Sequence, residues 1–191
     1  MGKFKELIFE LKEHAPFTAV AVLAVILLFL VIPASFKGLN EFEFFHPLHI
    51  FFSAIVISAI LLKYKSKAWK AFIFGVIGAV IIGNLSDIIM PYLFGVLVEE
   101  NIVFYLELIE KPFWVFGAGV LGSLIGMNYK KVGLSKVAHF GHVLVSTFAS
   151  LLYFSSFSSI SNIFLLFIFV FLAVIIPCCS SDIVYPILVK K

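Results

Sequence analysis

Two histidine pairs and two aspartates lie in strongly apolar stretches of the chain. Each histidine pair has the spacing His-x-x-His, which places both imidazoles on one face of a helix. An aspartate in the hydrocarbon of a membrane costs about 2.5–3.5 kcal/mol, so such a residue indicates a functional site with a nearby partner. Two imidazoles and a carboxylate form a common ligand set for divalent zinc, manganese, iron, cobalt or nickel. The sequence therefore predicts these metal ligands: His46, His49, Asp87, His139, His142 and Asp182.

The aspartates belong to a motif that occurs twice. The segment 86–93 recurs at 181–188, with Ser, Asp, Ile, Pro and Leu at identical offsets. The histidine pairs recur in the same order, and the first histidine of each pair precedes its aspartate by 41 and 43 residues. A third match joins Glu-His-Ala-Pro-Phe, from residue 13, to Glu-Lys-Pro-Phe, from residue 110. Three matches in one order predict an internal duplication with repeats at residues 1–98 and 99–191.

The composition is that of a membrane protein. The 191 residues are 62% hydrophobic and 13% charged, whereas soluble domains are about 45–50% apolar and about 25% charged. Several apolar runs reach the ~18 residues that cross a bilayer. We expect an all-α polytopic protein without a nucleic-acid partner, with short interfacial helices at 1–14 and 99–111, before spans one and four. The six expected spans cover approximately 16–32, 46–62, 71–91, 112–127, 139–154 and 163–189.

The expected spans also define an orientation. Each repeat holds three spans, an odd number, so the second repeat is inverted relative to the first, as in many transporters. All fourteen basic residues are lysines, and twelve of them fall on the side that holds both termini. The positive-inside rule then places both termini in the cytoplasm and the protein in the cytoplasmic membrane. Six short spans can enclose a transport pathway with only a single layer of helices. A homodimer is therefore plausible.

The depths of the polar residues predict two separate clusters. His49 would lie roughly 8 Å below the outer surface, and Asp87 roughly 6 Å below it. The same arithmetic places His142 and Asp182 together near the inner face. Neighbouring polar residues could support one cluster or the other, and the cysteines would make the inner one softer. The supporting residues are Ser53, Asn84, Ser86, Ser146, Cys178, Cys179 and Ser181.

Structural roles for the same residues remain open. Histidines in the first turn of a span can lie at the headgroup level and bond lipid or loops. Asp87 and Asp182 could instead cap half-helices that are broken at Pro91 and Pro186, where freed carbonyls would face a cavity.

Two short segments carry a family resemblance. The residues His-Pro-Leu-His-Ile-Phe at 46–51, followed by a glycine-rich span with Asn84, resemble part of the multi-pass heavy-metal (manganese-type) exporters of prokaryotes. The segment from Ile176 through Pro177 and the two cysteines to Val184 is similar to the Pro-Cys helix breaks of that family. The resemblance implies metal transport.

These patterns favour a transporter or permease for a divalent metal cation, with a cluster at each mouth. Acidic outer loops would concentrate cations, and protons leaving histidine could couple to the ion or compete with it. The alternative is a membrane-embedded, metal-dependent enzyme that hydrolyses a lipid or a lipid-linked substrate. A haem carrier is disfavoured because each histidine pair shares one helix. Both repeats keep the same polar residues, which favours transport over an enzyme.

Overall fold

The computed structural model describes residues 3–63, 66–98, 102–128, 132–158 and 162–179. These residues form helices and contain no strand, which confirms the all-α prediction for the described part of the chain. Two π-helical turns, Leu85–Ile89 and Ile175–Cys179, follow α3 and α8, and a 3-10 turn covers Ala34–Phe36. The α-helices are α1 (Lys3–Val31), α2 (Leu39–Lys63), α3 (Ala68–Asn84), α4 (Met90–Val98), α5 (Glu107–Glu110), α6 (Pro112–Asn128), α7 (Val132–Phe157) and α8 (Ile163–Val174).

Three of the described helical stretches are long and apolar enough to cross a membrane. They are Leu39–Lys63, Ala68–Val98 and Phe140–Phe157. Three shorter apolar helices cover Thr18–Val31, Pro112–Asn128 and Ile163–Cys178. The three long apolar helices indicate a membrane protein, because a span needs about 20 apolar residues.

Helix α2 begins seven residues before the start that the sequence predicts. Glu41 lies in its first turn, where a carboxylate is favoured by the helix dipole. The side chain of Glu41 also accepts a hydrogen bond from the backbone N–H of Gly38, at 3.1 Å. Glu41 and Glu43, which the sequence places in a loop, are therefore part of the helix.

The segment from Ala68 to Val98 is continuous, so the predicted interruption at Pro91 is wrong. The helix widens into the π-helical turn Leu85–Ile89, in which the N–H of Met90 bonds the carbonyl of Leu85. Pro91 has no N–H for the next carbonyl, that of Ser86. The hydroxyl of Ser150 on α7 donates to this carbonyl at 3.2 Å instead. A neighbouring helix thus satisfies the carbonyl that the proline leaves free.

Helix α6 packs closely on α2 through glycines. A Cβ at Gly122 would collide with the carbonyl oxygen of Phe51 and would lie 2.9 Å from Cβ of Ala54. A Cβ at Gly126 would likewise collide with the backbone of Ile55. Because both glycines face backbone atoms, the two helices can approach only where a side chain is missing.

The two interfacial helices are not present as predicted. The first is continuous with the following span, because α1 runs from Lys3 through Pro16 to Val31. The second is reduced to the single turn α5. The residues before α5 fold back on α4 instead: Ile102 fills the space beside Gly95, and the rings of Phe104 and Tyr92 lie 4.8 Å apart.

Helices from the first half of the chain pack against helices from the second half. Helix α2 packs against α3, α6 and α7, while α6 also packs against α3. Helix α1 packs against α7 and α8, and the two π-helical turns contact one another. The buried core therefore lies where α2, α7 and the π-helical turns meet.

Candidate metal centre

Asp87 lies in the first π-helical turn and accepts three hydrogen bonds. Its Oδ2 atom accepts one hydrogen bond from Nδ1 of His46, at 3.0 Å, and one from Nδ1 of His49, at 2.7 Å. Its Oδ1 atom receives the hydroxyl of Ser146, on α7, at 3.0 Å. All four side chains are fully buried. The predicted proximity of Asp87 to His46 and His49 is confirmed, and the added partner from α7 joins the two halves of the chain.

These hydrogen bonds determine where the other imidazole nitrogens point. A neutral imidazole that donates through Nδ1 keeps a lone pair on Nε2. Nε2 of His49 lies 3.4 Å from Nε2 of His142 and 3.7 Å from Sγ of Cys178. A carboxylate behind a histidine is the common arrangement at metal sites, where it fixes the ring and raises its basicity.

His49, His142 and Cys178 form a three-donor cluster that could hold a metal ion. One donor atom from each residue lies within 4.8 Å of the others, and all three side chains are buried. A tetrahedral zinc ion separates two nitrogen ligands by about 3.3 Å and a nitrogen from a sulfur by about 3.6 Å. The distances from His49 match these separations within about 0.1 Å.

Serine hydroxyls link the cysteine to the aspartate. The Cys178 thiol donates to Ser86 at 3.5 Å, and the hydroxyls of Ser86 and Ser146 are 2.6 Å apart. Since Ser146 donates to Asp87, Ser86 must be the donor to Ser146. Ordered hydrogen bonds therefore run from the thiol to the carboxylate, and they hold Cys178 in place beside His49.

Aromatic contacts fix the orientation of the histidine rings. His46 stacks on Phe42 with ring centroids 5.4 Å apart and planes inclined by 10°. The rings of His49 and His142 meet edge to face, with centroids 4.7 Å apart. Nε2 of His46 is buried and has no hydrogen-bond partner among the described residues.

The structure brings His142 into the cluster at Asp87, so the prediction of two separate clusters near opposite membrane faces is wrong. His49 lies ten residues after the start of α2, and His142 lies ten residues after the start of α7. Both helices begin seven residues before the predicted start, so the depths that the sequence predicts for these histidines do not hold. Cys178 and Ser146, which were assigned to the inner cluster, lie in the same place.

Other predicted site residues lie outside the cluster or outside the described part of the chain. Ser53 is buried, and its hydroxyl has no partner among the described residues. Asn84 donates to the carbonyl of Val80 at 2.7 Å, a local bond within α3. The side chains of His139 and Cys179, together with Ser181 and Asp182, lie outside the described residues.

Glu107, which the sequence does not predict as a site residue, is fully buried in the one-turn helix α5. Its pKa rises from 4.5 to about 8, chiefly because of burial and next because of the charge of Glu43. The hydroxyl of nearby Tyr105 donates to Glu43 at 2.7 Å, and burial and this bond raise the pKa of Tyr105. Glu43 also forms an ion pair with Lys111. The signal in the sequence is an acid within an apolar stretch between two spans, a pattern that equally predicts a surface helix.

Comparison of the chain with models of known protein families, with curated proteins and with solved structures gives no match.

Proposed function

We propose that this chain is an integral membrane transporter or permease for a divalent metal cation. The observation that carries the proposal is the convergence of Nε2 of His49, Nε2 of His142 and Sγ of Cys178 within 4.8 Å. His49 and His142 lie in helices that are long and apolar enough to span a membrane, where buried polar groups are costly and typically functional. The resemblance of segment 46–51 to heavy-metal exporters supports the same function.

The proposed architecture has six transmembrane helices in two inverted halves, 1–98 and 99–191. The packing between the two halves supports it, since α1 packs against α7 and α8 just as α6 packs against α2 and α3. Each half therefore places its first helix on the second and third helices of the other half. A two-fold axis in the membrane plane would relate the halves and pass near His49 and His142. By the lysine distribution, both termini face the cytoplasm.

The position of the cluster explains how it could support transport. His49 belongs to the first half, and His142 and Cys178 belong to the second half. In transporters with inverted repeats, the substrate binds near the midplane at the interface of the repeats. A movement of one half against the other would separate the ligands and release the ion. Asp87 stabilises the first half of the site by holding His49.

The donor set favours a borderline or soft cation. A thiolate and two imidazoles suit zinc, with cobalt and nickel as close relatives, better than manganese, which prefers oxygen ligands. The two oxygens of Asp87 are already engaged by His46, His49 and Ser146. We therefore propose zinc-like ions as the transported substrate.

The motif around Asp87 recurs around Asp182. This repeat predicts that Asp182 holds His142 as Asp87 holds His49.

A membrane-embedded metal-dependent hydrolase is the second candidate. One observation favours it: three protein ligands leave the fourth position of a tetrahedral ion open, as in catalytic zinc sites. An ion there could activate a water molecule, with Ser86 and Ser146 close by. The site is fully buried, so a lipid substrate would have to enter between helices.

Zinc flux into proteoliposomes tests the proposal. We expect vesicles with the wild-type protein to take up zinc, and vesicles with His142→Ala or Cys178→Ser to lose most of the flux. Ser123→Ala is the matched control, because this buried serine lies on α6, and among the described residues its hydroxyl has no partner. Wild-type protein that binds zinc and leaves the vesicles impermeable would contradict transport and support the enzyme.

A further inference from the structure

Glu107 is a buried acid that the proposed metal centre does not use. Its side chain has no exposed surface, and neither carboxyl oxygen has a hydrogen-bond partner among the described residues. An ionised carboxylate without a partner is strongly disfavoured in such surroundings, so the carboxyl is protonated. A buried, protonated carboxylic acid holds one proton that it can release on ionisation.

Charged groups surround this acid on two sides. Towards solvent, Lys111 pairs with Glu43, and 39% of the lysine side chain is exposed. Towards the interior, Phe42 contacts both Tyr105, two residues before Glu107, and His46, with ring centroids 6.1 and 5.4 Å away, and His46 bonds Asp87. Burial and the charges of Glu43 and Asp87 oppose the ionisation of Glu107, whereas Lys111 favours it. The ionisation of Glu107 therefore depends on the charges of Glu43 and Lys111 and on the charge of Asp87, which holds the histidines.

A bound divalent cation would change this balance. Two positive charges at the three-donor cluster offset the negative charge of Asp87, and they stabilise an ionised Glu107 by Coulomb attraction across a medium of low dielectric. Binding of the cation and loss of the proton are then linked. Tyr105 and Lys111, which flank Glu107 in the chain, both bond Glu43, and Lys111 is partly exposed to solvent.

We infer that Glu107 is the proton-exchange site of a cation–proton antiporter, releasing one proton when a divalent cation binds the cluster of His49, His142 and Cys178. This inference rests on the proposed transport function. In the step, the O–H bond of the carboxyl breaks, the electron pair stays on the carboxylate, and the proton passes to water. When the cation leaves, the carboxylate takes up a proton again.

Proton release during zinc titration of the detergent-solubilised full chain tests the inference. At pH 6.5 in weak buffer, we expect wild-type protein to release close to one proton more per zinc ion than Glu107→Gln. At pH 9.5 the difference disappears, because Glu107 is already ionised. Glu110→Gln is the matched control, since Glu110 lies on the same helix turn and is exposed; it should release as many protons as the wild type.

The pH dependence of zinc affinity gives a second readout. One additional released proton makes the dissociation constant of the wild type fall about tenfold more per pH unit than that of Glu107→Gln between pH 6 and 7.5. In proteoliposomes, wild-type zinc influx should export protons, which can be measured without any variant. Equal proton release from wild type and Glu107→Gln, or zinc influx without proton export, overturns the inference and leaves zinc transport intact. Absence of zinc binding overturns the proposed function as well.

Discussion

A buried carboxylate that accepts hydrogen bonds from two imidazoles and a hydroxyl decides where the remaining atoms of those groups point. Asp87 engages Nδ1 of His49, so Nε2 faces His142 and Cys178. The sequence predicted the contact between Asp87 and His49, because an aspartate in an apolar span needs a partner. It predicted Ser146 as a supporting residue of the other cluster and not as a partner of Asp87, since nothing in the spacing of the chain places α7 against this turn.

The role of Asp87 behind the cluster predicts a graded effect of its loss. Asp87→Asn should weaken zinc binding by about 10–100-fold, as the loss of an orienting partner does, without abolishing it. Cys178→Ser and His142→Ala should remove high-affinity binding, because each loses a ligand. Zinc titration against a competing chelator measures all three variants. An equal effect of Asp87→Asn and His142→Ala would show that Asp87 is itself a ligand.

The buried acid at position 107 predicts a pH dependence of stability. The pKa of Glu107 is raised in the folded protein, to about 8 from 4.5. The protonated form therefore contributes stability at acid pH, and this contribution is lost as the pH rises through 8. Glu107→Gln, which cannot ionise, should melt several degrees above the wild type at pH 9 and close to it at pH 5. Equal melting temperatures at pH 9, measured in detergent, would contradict the burial of an ionisable acid.

At the scale of single elements, the π-helical turn explains how a helix continues through proline. The sequence indicates a break at Pro91, and local rules allow no other prediction, because the compensating donor comes from a distant helix. Ser150 supplies that donor to the carbonyl of Ser86. The turn also directs Asp87 towards α2 and α7 together, so local backbone geometry and the site depend on one another.

The donor from α7 predicts a compensating pair of substitutions. Ser150→Ala leaves the buried carbonyl of Ser86 without a partner and should destabilise the protein by about 1–3 kcal/mol. Pro91→Ala restores an N–H that can bond the same carbonyl, so it should reduce the cost of Ser150→Ala. A double-mutant cycle of thermal stability in detergent measures the coupling. Strictly additive effects would mean that Ser150 does not replace the missing N–H.

The contact between α6 and α2 predicts that alanine substitutions at two glycines of α6 differ in their effect on stability. Gly122→Ala forces a methyl group into the carbonyl of Phe51 and should cost about 1–3 kcal/mol. Gly117→Ala is the control, because no atom of the described residues lies within 4 Å of an added Cβ. Thermal melting of both variants tests the packing. Equal stability of the two variants would show that α6 does not approach α2 so closely.

In the folded molecule, the two histidine-bearing helices pack against one another with His49 and His142 in contact, and this gives one site instead of two. The sequence indicates a membrane protein with repeated polar motifs. It could not give the contact between them, because Glu41 belongs to the first turn of α2 and not to the predicted loop. An error of seven residues at a helix start is about 10 Å along the helix axis, enough to predict two clusters where the structure has one.

X-ray absorption spectroscopy of the zinc-loaded protein identifies the ligands of the proposed centre. We expect one sulfur at about 2.3 Å and two imidazole nitrogens at about 2.0–2.1 Å from the ion. In Cys178→Ser, the sulfur signal should disappear. Zinc bound without sulfur in the wild type, or a sulfur ligand that persists in Cys178→Ser, would contradict a centre formed by His49, His142 and Cys178.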